Sequence, residues 1–448
     1  MWCCSFSSFT IAIELVALLI LFPGSTYQHA QNKSMDPLEL ETLFKIMDTL
    51  SSDANWRVSH PNPCQPGSSW PGLDCKTTQH VTRLDVGIPP NPTCRKSASF
   101  PPELFLLPHL ESLFIFKCFT QSPARISLPP HPSSLLQQLS LRSNPSLVGP
   151  IPPTLSSIAS LRILTLSQNG LSGPIPLGLL ALPSLLHVDL SYNQLAGPIP
   201  AAVGGLRSLV GLDLSYNRLT GPIPVSIGRL GALQKVDLSS NLLTGGIPPT
   251  IGGLRSLNFL ALSGNRLRGG FPSGVGKLLN LQYFLMDDNP MFVSLPEELS
   301  RLAKLQELSL SGSGYSGPIP NSYSGLANLT SLSLQNNRLW GPIPPGFAGM
   351  SRIYHLNLSG NSLRGVVPFD SGFVKRLGRN LDLSGNPGLC LNGTRVNNVI
   401  NIGVDVCGNN KTGPVIFKPL RKSNAKMNRA ARYLFLVGVV LLLQSFGS

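Results

Sequence analysis

Few residues of this sequence could perform catalysis. It contains seven histidines in 448 residues, and it has no HExxH motif, nucleophile elbow or phosphate-binding loop. His187 and Asp189 lie two residues apart and could be interpreted as an acid–base dyad. They lie, however, on an exposed strand of a phrase that recurs along the chain. We therefore expect no enzymatic activity, no cofactor and no bound metal.

The chemistry that the sequence does offer is recognition by exposed aromatic and charged side chains. Such side chains, placed next to one another, suit the binding of a peptide or protein. A structural alternative exists, because aspartate is a common filler of the L-D-L-S phrase and aromatic side chains on a strand can simply pack on each other. The predicted ligand-binding residues are His187, Tyr192, Asp213, Tyr216, Lys235, Asp237, Phe259 and Tyr283.

The element that must position these side chains is a repeat. The phrase L-x-x-L-x-L-x-x-N-x-L-x-G-x-I-P recurs at steps of 24 or 25 residues, and Ser313 replaces one expected asparagine. Period and spelling together indicate an α/β solenoid of leucine-rich repeats. The asparagines that mark the repeats are Asn144, Asn169, Asn193, Asn217, Asn241, Asn265, Asn289, Asn337, Asn361 and Asn386.

One repeat cannot bury its own leucines, so stacking of neighbours must do it. We expect about 13 parallel strands between residues 81 and 389. Each marker asparagine should satisfy backbone groups where the chain turns, because its side chain has donors and an acceptor. The shorter Ser313 should give a looser turn, and the G-x-I-P half should form a second extended segment.

Stacking also turns positions of the repeat into columns. The residues between and after the strand leucines face outward, so the third, fifth and eighth positions of successive repeats become neighbours. The eight predicted residues then form one patch, about five repeats wide, on the concave face. The unit from Asn289 to Leu299 lacks the usual glycine, and we expect a local change in curvature there.

The N-terminal region predicts a secretory signal peptide over residues 1–27, with an uncleaved N-terminal anchor as the alternative. Residues 28–80 should form a cap on the first repeat. Asp36-Pro-Leu-Glu39 resembles a capping box with proline at the first helical position. Apolar residues at helical spacing then predict a short amphipathic helix.

Six cysteines remain after removal of the signal peptide. A stacked solenoid keeps distant repeats apart, so bonds between sequence neighbours are favoured. Metal binding is the weaker alternative, because no C-x2-C spacing occurs among them. The predicted disulfides are Cys64–Cys75, Cys94–Cys118 and Cys390–Cys407, with the last pair closing a C-terminal cap over residues 390–410.

The C-terminal region predicts attachment to a membrane. A basic spacer covers residues 411–432, and a hydrophobic tail covers residues 433–448. Small residues at Ser423 and Asn424 followed by spacer and tail are typical of a glycolipid (GPI) signal. A single-pass helix is the rival, although the tail alone is short for a bilayer.

The charge distribution and the glycosylation sequons agree with secretion and with a location at the cell surface. The net charge is +14, and half of the excess lies in residues 411–448, so we expect no nucleic-acid partner. Sequons agree with passage through the secretory pathway and a location on the extracellular face of the plasma membrane. The predicted glycosylation sites are Asn32, Asn328, Asn357, Asn392 and Asn410.

The repeat spelling, the W…C…W-x-G-x-x-C cap and the closing N-P-G-L-C resemble plant extracellular leucine-rich-repeat proteins. More closely, the chain resembles receptor-like proteins of the Piriformospora indica-insensitive and Too Many Mouths kind. The resemblance implies repeats outside the cell, no kinase domain, and signalling through a partner receptor kinase or its ectodomain. The alternative is a secreted inhibitor of a pathogen wall-degrading enzyme, of the polygalacturonase-inhibitor type, but the hydrophobic tail favours the receptor-like interpretation.

Overall fold

The computed structural model describes residues 34–65, 67–76, 79–132, 135–392 and 402–408. The predicted signal peptide, spacer and tail lie outside these residues, as do Asn32, Asn410, Ser423 and Asn424. The described residues up to Cys407 form one compact unit. The helices of its described part are α1 (Pro37–Leu50), α2 (Trp56–Ser59) and α3 (Ser371–Leu377).

The main element is a sheet of fourteen strands. Its first strand is antiparallel to the second, and the other thirteen are parallel, which is the number the repeat period predicts. In chain-order numbering the strands are β1 (Leu73–Cys75), β2 (Val81–Val86), β3 (Ser112–Phe116), β4 (Gln138–Arg142), β6 (Ile163–Thr165), β8 (His187–Asp189), β10 (Gly211–Asp213), β12 (Lys235–Asp237), β14 (Phe259–Ala261), β15 (Tyr283–Leu285), β16 (Glu307–Ser309), β18 (Ser331–Ser333), β20 (His355–Asn357) and β22 (Leu381–Asp382).

The second half of most repeats contributes a strand to one of two smaller lateral sheets, as the G-x-I-P segments predict. Short 3₁₀ helices then lead back toward the long sheet. The lateral strands are β5 (Val148–Pro150), β7 (Gly170–Gly173), β9 (Gln194–Pro198), β11 (Arg218–Pro222) and β13 (Leu242–Thr244) in one sheet, and β17 (Ser316–Gly317), β19 (Arg338–Gly341), β21 (Ser362–Val366) and β23 (Gly388–Cys390) in the other.

The hydrophobic core lies between the long sheet and the returning segments. Leu209, Leu212 and Leu214 of one repeat are completely buried, and equivalent residues are buried in the neighbouring repeats. Burying one such side chain stabilises the fold by roughly 1.5–3 kcal/mol. The core is therefore continuous along the stack, and each repeat depends on its neighbours.

The marker asparagines bind the turns of adjacent repeats. The Nδ2 group of Asn217 donates to the carbonyl of Leu190 in the preceding repeat at 2.9 Å and to that of Leu214 at 3.2 Å. Its Oδ1 accepts from the backbone N–H of Leu195 at 3.0 Å. Because the same contacts recur along the stack, these asparagines satisfy backbone groups that water cannot reach.

At Ser313 the turn differs from the looser one that we expected. The hydroxyl donates toward the carbonyls of Met286 at 3.1 Å and Ser311 at 2.9 Å, so inward bonds are kept. The bond that an asparagine would accept from Met291 is replaced, because that N–H donates to the backbone carbonyl of Ser313 at 3.0 Å. A backbone hydrogen bond thus takes the place of the bond to an asparagine side chain at this turn.

The unit beginning at Asn289 interrupts the lateral strands. Among the described residues, none forms a lateral strand between β13 and β17. Pro290 has no N–H at the position where Arg266 and Arg338 donate to the preceding repeat. Phe292 adopts a left-handed backbone with φ of 51°. The lateral sheet is thus broken at this unit, and the change in curvature predicted there stays a prediction.

The N-terminal cap begins at Asp36, whose carboxylate accepts from the N–H groups of Leu38 at 2.9 Å and Glu39 at 3.0 Å. The predicted capping box is only half correct. Glu39 is 3% exposed, and its carboxylate accepts from the N–H of Val81 at 2.9 Å and lies 2.7 Å from Nδ1 of His80. Glu39 therefore joins α1 to the start of β2 instead of closing its own helix.

Disulfides close both caps, and the three predicted pairs are present. Cys64–Cys75 joins the region after α2 to β1, and Cys94–Cys118 joins the loops that follow β2 and β3. Cys390–Cys407 fastens the last described segment to β23. Within the ranges that the structure describes, no helix is both long and apolar enough to cross a bilayer.

Candidate recognition surface

The parallel register of the long sheet brings the predicted residues together. His187 is paired with Gly211, Gly211 with Lys235, Lys235 with Phe259, and Phe259 with Tyr283. Asp213 lies between Asp189 and Asp237 in the next column. We call the eight residues the recognition surface; they are His187, Tyr192, Asp213, Tyr216, Lys235, Asp237, Phe259 and Tyr283.

Direct contacts connect the aromatic and charged members of the recognition surface. The rings of Tyr192 and Tyr216 are stacked, with centroids 4.1 Å apart and an interplanar angle of 9°. The Lys235 ammonium lies 3.1 Å from Oδ2 of Asp213 and 5.7 Å from the centroid of the Phe259 ring. The Phe259 ring in turn lies 6.1 Å from that of Tyr283. The surface is therefore pre-organised before any ligand arrives.

His187 is the exposed member of the set. Its ring lies over Gly211, where an added Cβ would come within 2.8 Å of Nδ1. Desolvation by the surrounding protein, and then the positive charge of Lys235, lower the pKa of His187. The imidazole is thus a neutral donor or acceptor at the edge of the surface near neutral pH.

The aspartates have a structural role as well. Oδ1 of Asp213 accepts from the N–H of Ser215 at 3.1 Å and from its hydroxyl at 2.6 Å, and Asp237 holds Ser239 in the same way. Burial, and then the nearby Asp213, raise the pKa of Asp237 to about 6. The structural interpretation of L-D-L-S is therefore correct in part, while Asp213 still offers its second oxygen to Lys235.

Sequence reasoning missed the backbone conformation of the eighth position. Tyr192 and Tyr216 both have φ of 54°, in the left-handed region that non-glycine residues rarely adopt. Gly264 and Gly360 occupy the same position in other repeats, with φ of 65° and 64°. Those glycines were the signal that could have revealed it. The left-handed turn points both tyrosines along the same line and allows the stack.

A second aromatic and cationic cluster on the first strands was also missed. The Arg83 guanidinium lies 4.7 Å from the centroid of the Phe114 ring, and the Lys117 ammonium lies 5.4 Å from that of Phe116. Phe114 is the fifth-position residue of the repeat ending at Cys118. This repeat matches the consensus poorly. Aligning its outward-facing positions with those of the later repeats would have revealed the cluster.

Beyond Tyr283 the same face becomes acidic. Glu307 is aligned with Tyr283 across β15 and β16. Oδ1 of Asp287 accepts from the hydroxyl of Ser309 at 2.6 Å and the N–H of Ser311 at 2.7 Å. Burial, and then the charge of Asp287, raise the pKa of both Glu307 and Asp288. The recognition surface is therefore flanked by acidic residues beyond Tyr283.

The side chains of the recognition surface suit binding of a partner. Over the part of the chain that is described, no group of three or more His, Cys, Asp or Glu side chains could hold a metal ion. The recognition surface instead combines stacked rings, one ammonium group and fixed carboxylates on a paired sheet, which suits a partner with complementary apolar and charged groups.

Comparison with known proteins supports the repeat assignment. The model of the Leucine Rich Repeat family matches residues 160–182, 184–206, 208–230, 232–254 and 328–350. Receptor like protein 29 of Arabidopsis thaliana is 63% identical over 142 residues, which are 30% of this chain and 31% of the relative.

Two further relatives from Arabidopsis thaliana are those of the predicted kind. Piriformospora indica-insensitive protein 2 is 34% identical over 153 residues, covering 32% of this chain and 35% of the relative. Protein TOO MANY MOUTHS is 38% identical over 138 residues, covering 29% of this chain and 27% of the relative. Each match spans about a third of the relative's length. The resemblance to plant leucine-rich-repeat receptor-like proteins is confirmed.

A solved structure shares the fold. The leucine-rich-repeat ectodomain of the plant membrane receptor kinase GASSHO1/SCHENGEN3 from Arabidopsis thaliana, in complex with CASPARIAN STRIP INTEGRITY FACTOR 2, is 27% identical with a TM-score of 0.55. The similarity covers 74% of this chain and 43% of that chain.

Proposed function

We propose that this leucine-rich-repeat protein is a cell-surface receptor-like protein without a kinase domain. It binds a peptide ligand or the ectodomain of a receptor kinase through the recognition surface, and it signals through that partner. The relatives support the receptor-like role, and the GASSHO1/SCHENGEN3 complex shows that a similar ectodomain can hold a partner.

The observations that carry the proposal are the Tyr192–Tyr216 stack and the contacts that link Asp213, Lys235, Phe259 and Tyr283. Hot spots of protein interfaces are enriched in aromatic and cationic side chains that are held rigidly before binding. Here the strand backbones are paired within the sheet, so that the face presents side chains. The stacked tyrosines and the Lys235 ammonium between Asp213 and Phe259 are such anchors.

The proposal is tested by capture of receptor-kinase ectodomains on the full-length chain. The triple variant Tyr216→Ala, Lys235→Glu and Phe259→Ala removes three anchors and should weaken capture by at least about tenfold, since two or more hot-spot residues are lost. Secretion should be unchanged, because all three side chains are only partly buried.

A matched control places similar changes away from the recognition surface. Lys277 and Tyr354 are exposed on other segments, so Lys277→Glu with Tyr354→Ala should leave capture intact. Capture that survives the triple variant, or that is lost equally in the control, would show that the partner binds elsewhere.

Attachment to the membrane is the second part of the proposal. A GPI anchor at Ser423 or Asn424 would hold the repeats outside the cell without a cytoplasmic domain. Treatment of intact cells with a phosphatidylinositol-specific phospholipase should then release the protein into the medium. A known GPI-anchored protein on the same cells serves as the control. If the enzyme releases the control completely while this protein stays on the cells, the single-pass helix is favoured instead.

A further inference from the structure

The segments that follow the marker residues contain no acidic residue. This holds for the nine successive segments 169–176, 193–200, 217–224, 241–248, 265–272, 289–296, 313–320, 337–344 and 361–368. The long sheet, in contrast, carries aspartates in several repeats. Whatever charge these lateral segments hold is therefore positive.

Two columns of side chains face outward from the later lateral segments. Arg338 and Trp340 are exposed while Leu339 between them is buried, and the same alternation occurs in the neighbouring repeats. Successive residues of an extended chain point to opposite sides, so the first and third positions after each marker share one face. We call this set the lateral stripe; it consists of Arg266, Arg268, Phe292, Arg338, Trp340 and Arg364, all of which are exposed.

The middle of the lateral stripe is a built cluster. Phe292 is 59% exposed, and its ring fills the space above Gly314, where an added Cβ would lie 2.5 Å from Cδ1. The ring thereby reaches past one repeat, and the Arg338 guanidinium lies 5.4 Å from its centroid. Trp340, two residues after Arg338 in the same strand, is 50% exposed. The lateral stripe thus offers two large exposed aromatic side chains to a ligand.

The arginines of the lateral stripe remain available to a ligand. Within the described ranges, ion pairs involve other residues, and no side-chain hydrogen bond uses Arg266, Arg268, Arg338 or Arg364. Guanidinium groups bind carboxylates through two parallel hydrogen bonds. Charge complementarity therefore points to a ligand that carries carboxylates or similar anions.

The dimensions of the lateral stripe favour an extended polymer. Five repeats at about 4.8 Å between strands give a length of about 20 Å, and two side-chain columns are about 7 Å wide. The resulting area is on the order of 150 Å², whereas a folded protein partner usually covers about 800 Å² on each side. A globular partner is therefore disfavoured.

A peptide that binds by strand addition is also disfavoured. Strand addition needs backbone hydrogen bonds to an open sheet edge. β19 and β21 are paired on both sides, so the stripe presents side chains and no open edge. A sugar ring needs none of these backbone groups, since its C–H face packs on an aromatic ring and its carboxylate binds a guanidinium.

We infer that the lateral stripe binds a linear polysaccharide that bears carboxylates on its sugar units. Trp340 and Phe292 pack against sugar rings, and Arg338 and Arg364 bind the carboxylates on either side. The inference does not depend on the proposed receptor role, because the lateral stripe and the recognition surface share no residue.

The test measures binding of polygalacturonate oligomers to the full-length chain. Arg338→Glu with Arg364→Glu should lower the affinity by at least about tenfold. The matched control Arg207→Glu with Arg255→Glu makes the same charge change at exposed arginines outside the stripe and should bind as the unaltered chain does. The methyl-esterified oligomer, which has lost its charge, should bind weakly.

A second variant separates a sugar from other polyanions. Trp340→Ala alters only an exposed ring, so the fold should persist, and it should weaken polygalacturonate binding while leaving any binding of poly-glutamate unchanged. Equal losses in both arginine double variants would reduce the effect to net charge and overturn the inference. Poly-glutamate that binds the unaltered chain as tightly as polygalacturonate would overturn it in favour of an acidic peptide.

Discussion

At the scale of single residues, the two stacked tyrosines combine a backbone role with a side-chain role. Tyr192 and Tyr216 occupy a left-handed turn that other repeats fill with Gly264, Asn336 or Gly360. A side chain in that region costs about 1–2 kcal/mol. Ring stacking returns about 0.5–1.5 kcal/mol, so the two contributions to the free energy of unfolding nearly cancel.

Tyr216→Asn should therefore separate binding from stability. Asparagine tolerates the left-handed conformation, as Asn336 shows with φ of 58°, so the free energy of unfolding should change by less than about 1 kcal/mol. Partner capture should fall. Urea denaturation and the ectodomain capture assay measure the two effects, and a loss of several kcal/mol in stability would show that the stack is structural.

A pH dependence is expected at Asp237. The pKa of Asp237 is raised to about 6 from the ordinary 3.8. The folded chain therefore binds the proton of this carboxyl group more tightly than the unfolded chain does. The stabilising contribution is therefore full below pH 3.8 and is lost as the pH rises through about 6. Asp237→Asn should raise the stability by about 1–3 kcal/mol at pH 7.5 and change it little at pH 4.

Two residues of the same chain provide the comparison for this substitution. Asn357 already holds Ser359 as Asp237 holds Ser239, with Oδ1 accepting from the N–H at 3.0 Å, so asparagine fits the turn. Asp382→Asn is the control, because Asp382 is paired with Asn357 and not with another aspartate. An equal gain in stability at pH 7.5 from both substitutions would contradict the effect assigned to Asp213 on the pKa of Asp237.

At the scale of elements, the asparagine ladder makes each turn depend on its neighbours. Asn217→Ala would leave the N–H of Leu195 unpaired. The carbonyls of Leu190 and Leu214 would each lose one of two amide donors and keep Asn193 and Asn241, respectively. We expect a loss of about 1–3 kcal/mol in the free energy of unfolding, which is the cost of one buried unpaired group.

Serine provides the matched control at the same turn. Ser313 shows that a hydroxyl can keep the inward bonds to Met286 and Ser311. Asn217→Ser should therefore cost less than Asn217→Ala by about 1 kcal/mol. Equal losses on urea denaturation would mean that the hydroxyl contributes nothing at this position.

The strands could be predicted from the sequence where they follow the repeat period. The count of thirteen parallel strands and the in-register columns come directly from leucine spacing. Features that depend on a contact between distant residues were not predictable. Glu39 bonds Val81 across 42 positions, and the Phe292 ring reaches Arg338 only because Gly314 leaves room. No local pattern contains either contact.

At the scale of the molecule, the described unit is a stack in which stability passes from neighbour to neighbour. Its first repeat has one neighbour only, and Cys64–Cys75, α1 and Glu39 close that end. Cys64→Ser with Cys75→Ser should therefore increase hydrogen exchange in β1 and β2 and leave β10 and β12 nearly unchanged. Uniform loss of protection along the stack would show a single cooperative unit instead.

The position of the candidate site could be predicted from the repeat period, but its side-chain contacts could not. Stacking columns brought all eight residues to one face, because register follows from the constant repeat length. The Tyr192–Tyr216 stack and the Lys235 contacts needed the left-handed turn and the actual side-chain directions. Their role in ligand binding stays a prediction until a partner is identified.

The most direct test of the central claim is side-chain oxidation footprinting of the captured complex on the full-length chain. Binding at the recognition surface should protect Tyr192, Tyr216, Phe259 and Tyr283 from hydroxyl radicals and leave Trp340 and Phe292 as reactive as in the free chain. Unchanged reactivity of those four residues, with protection elsewhere, would contradict the account.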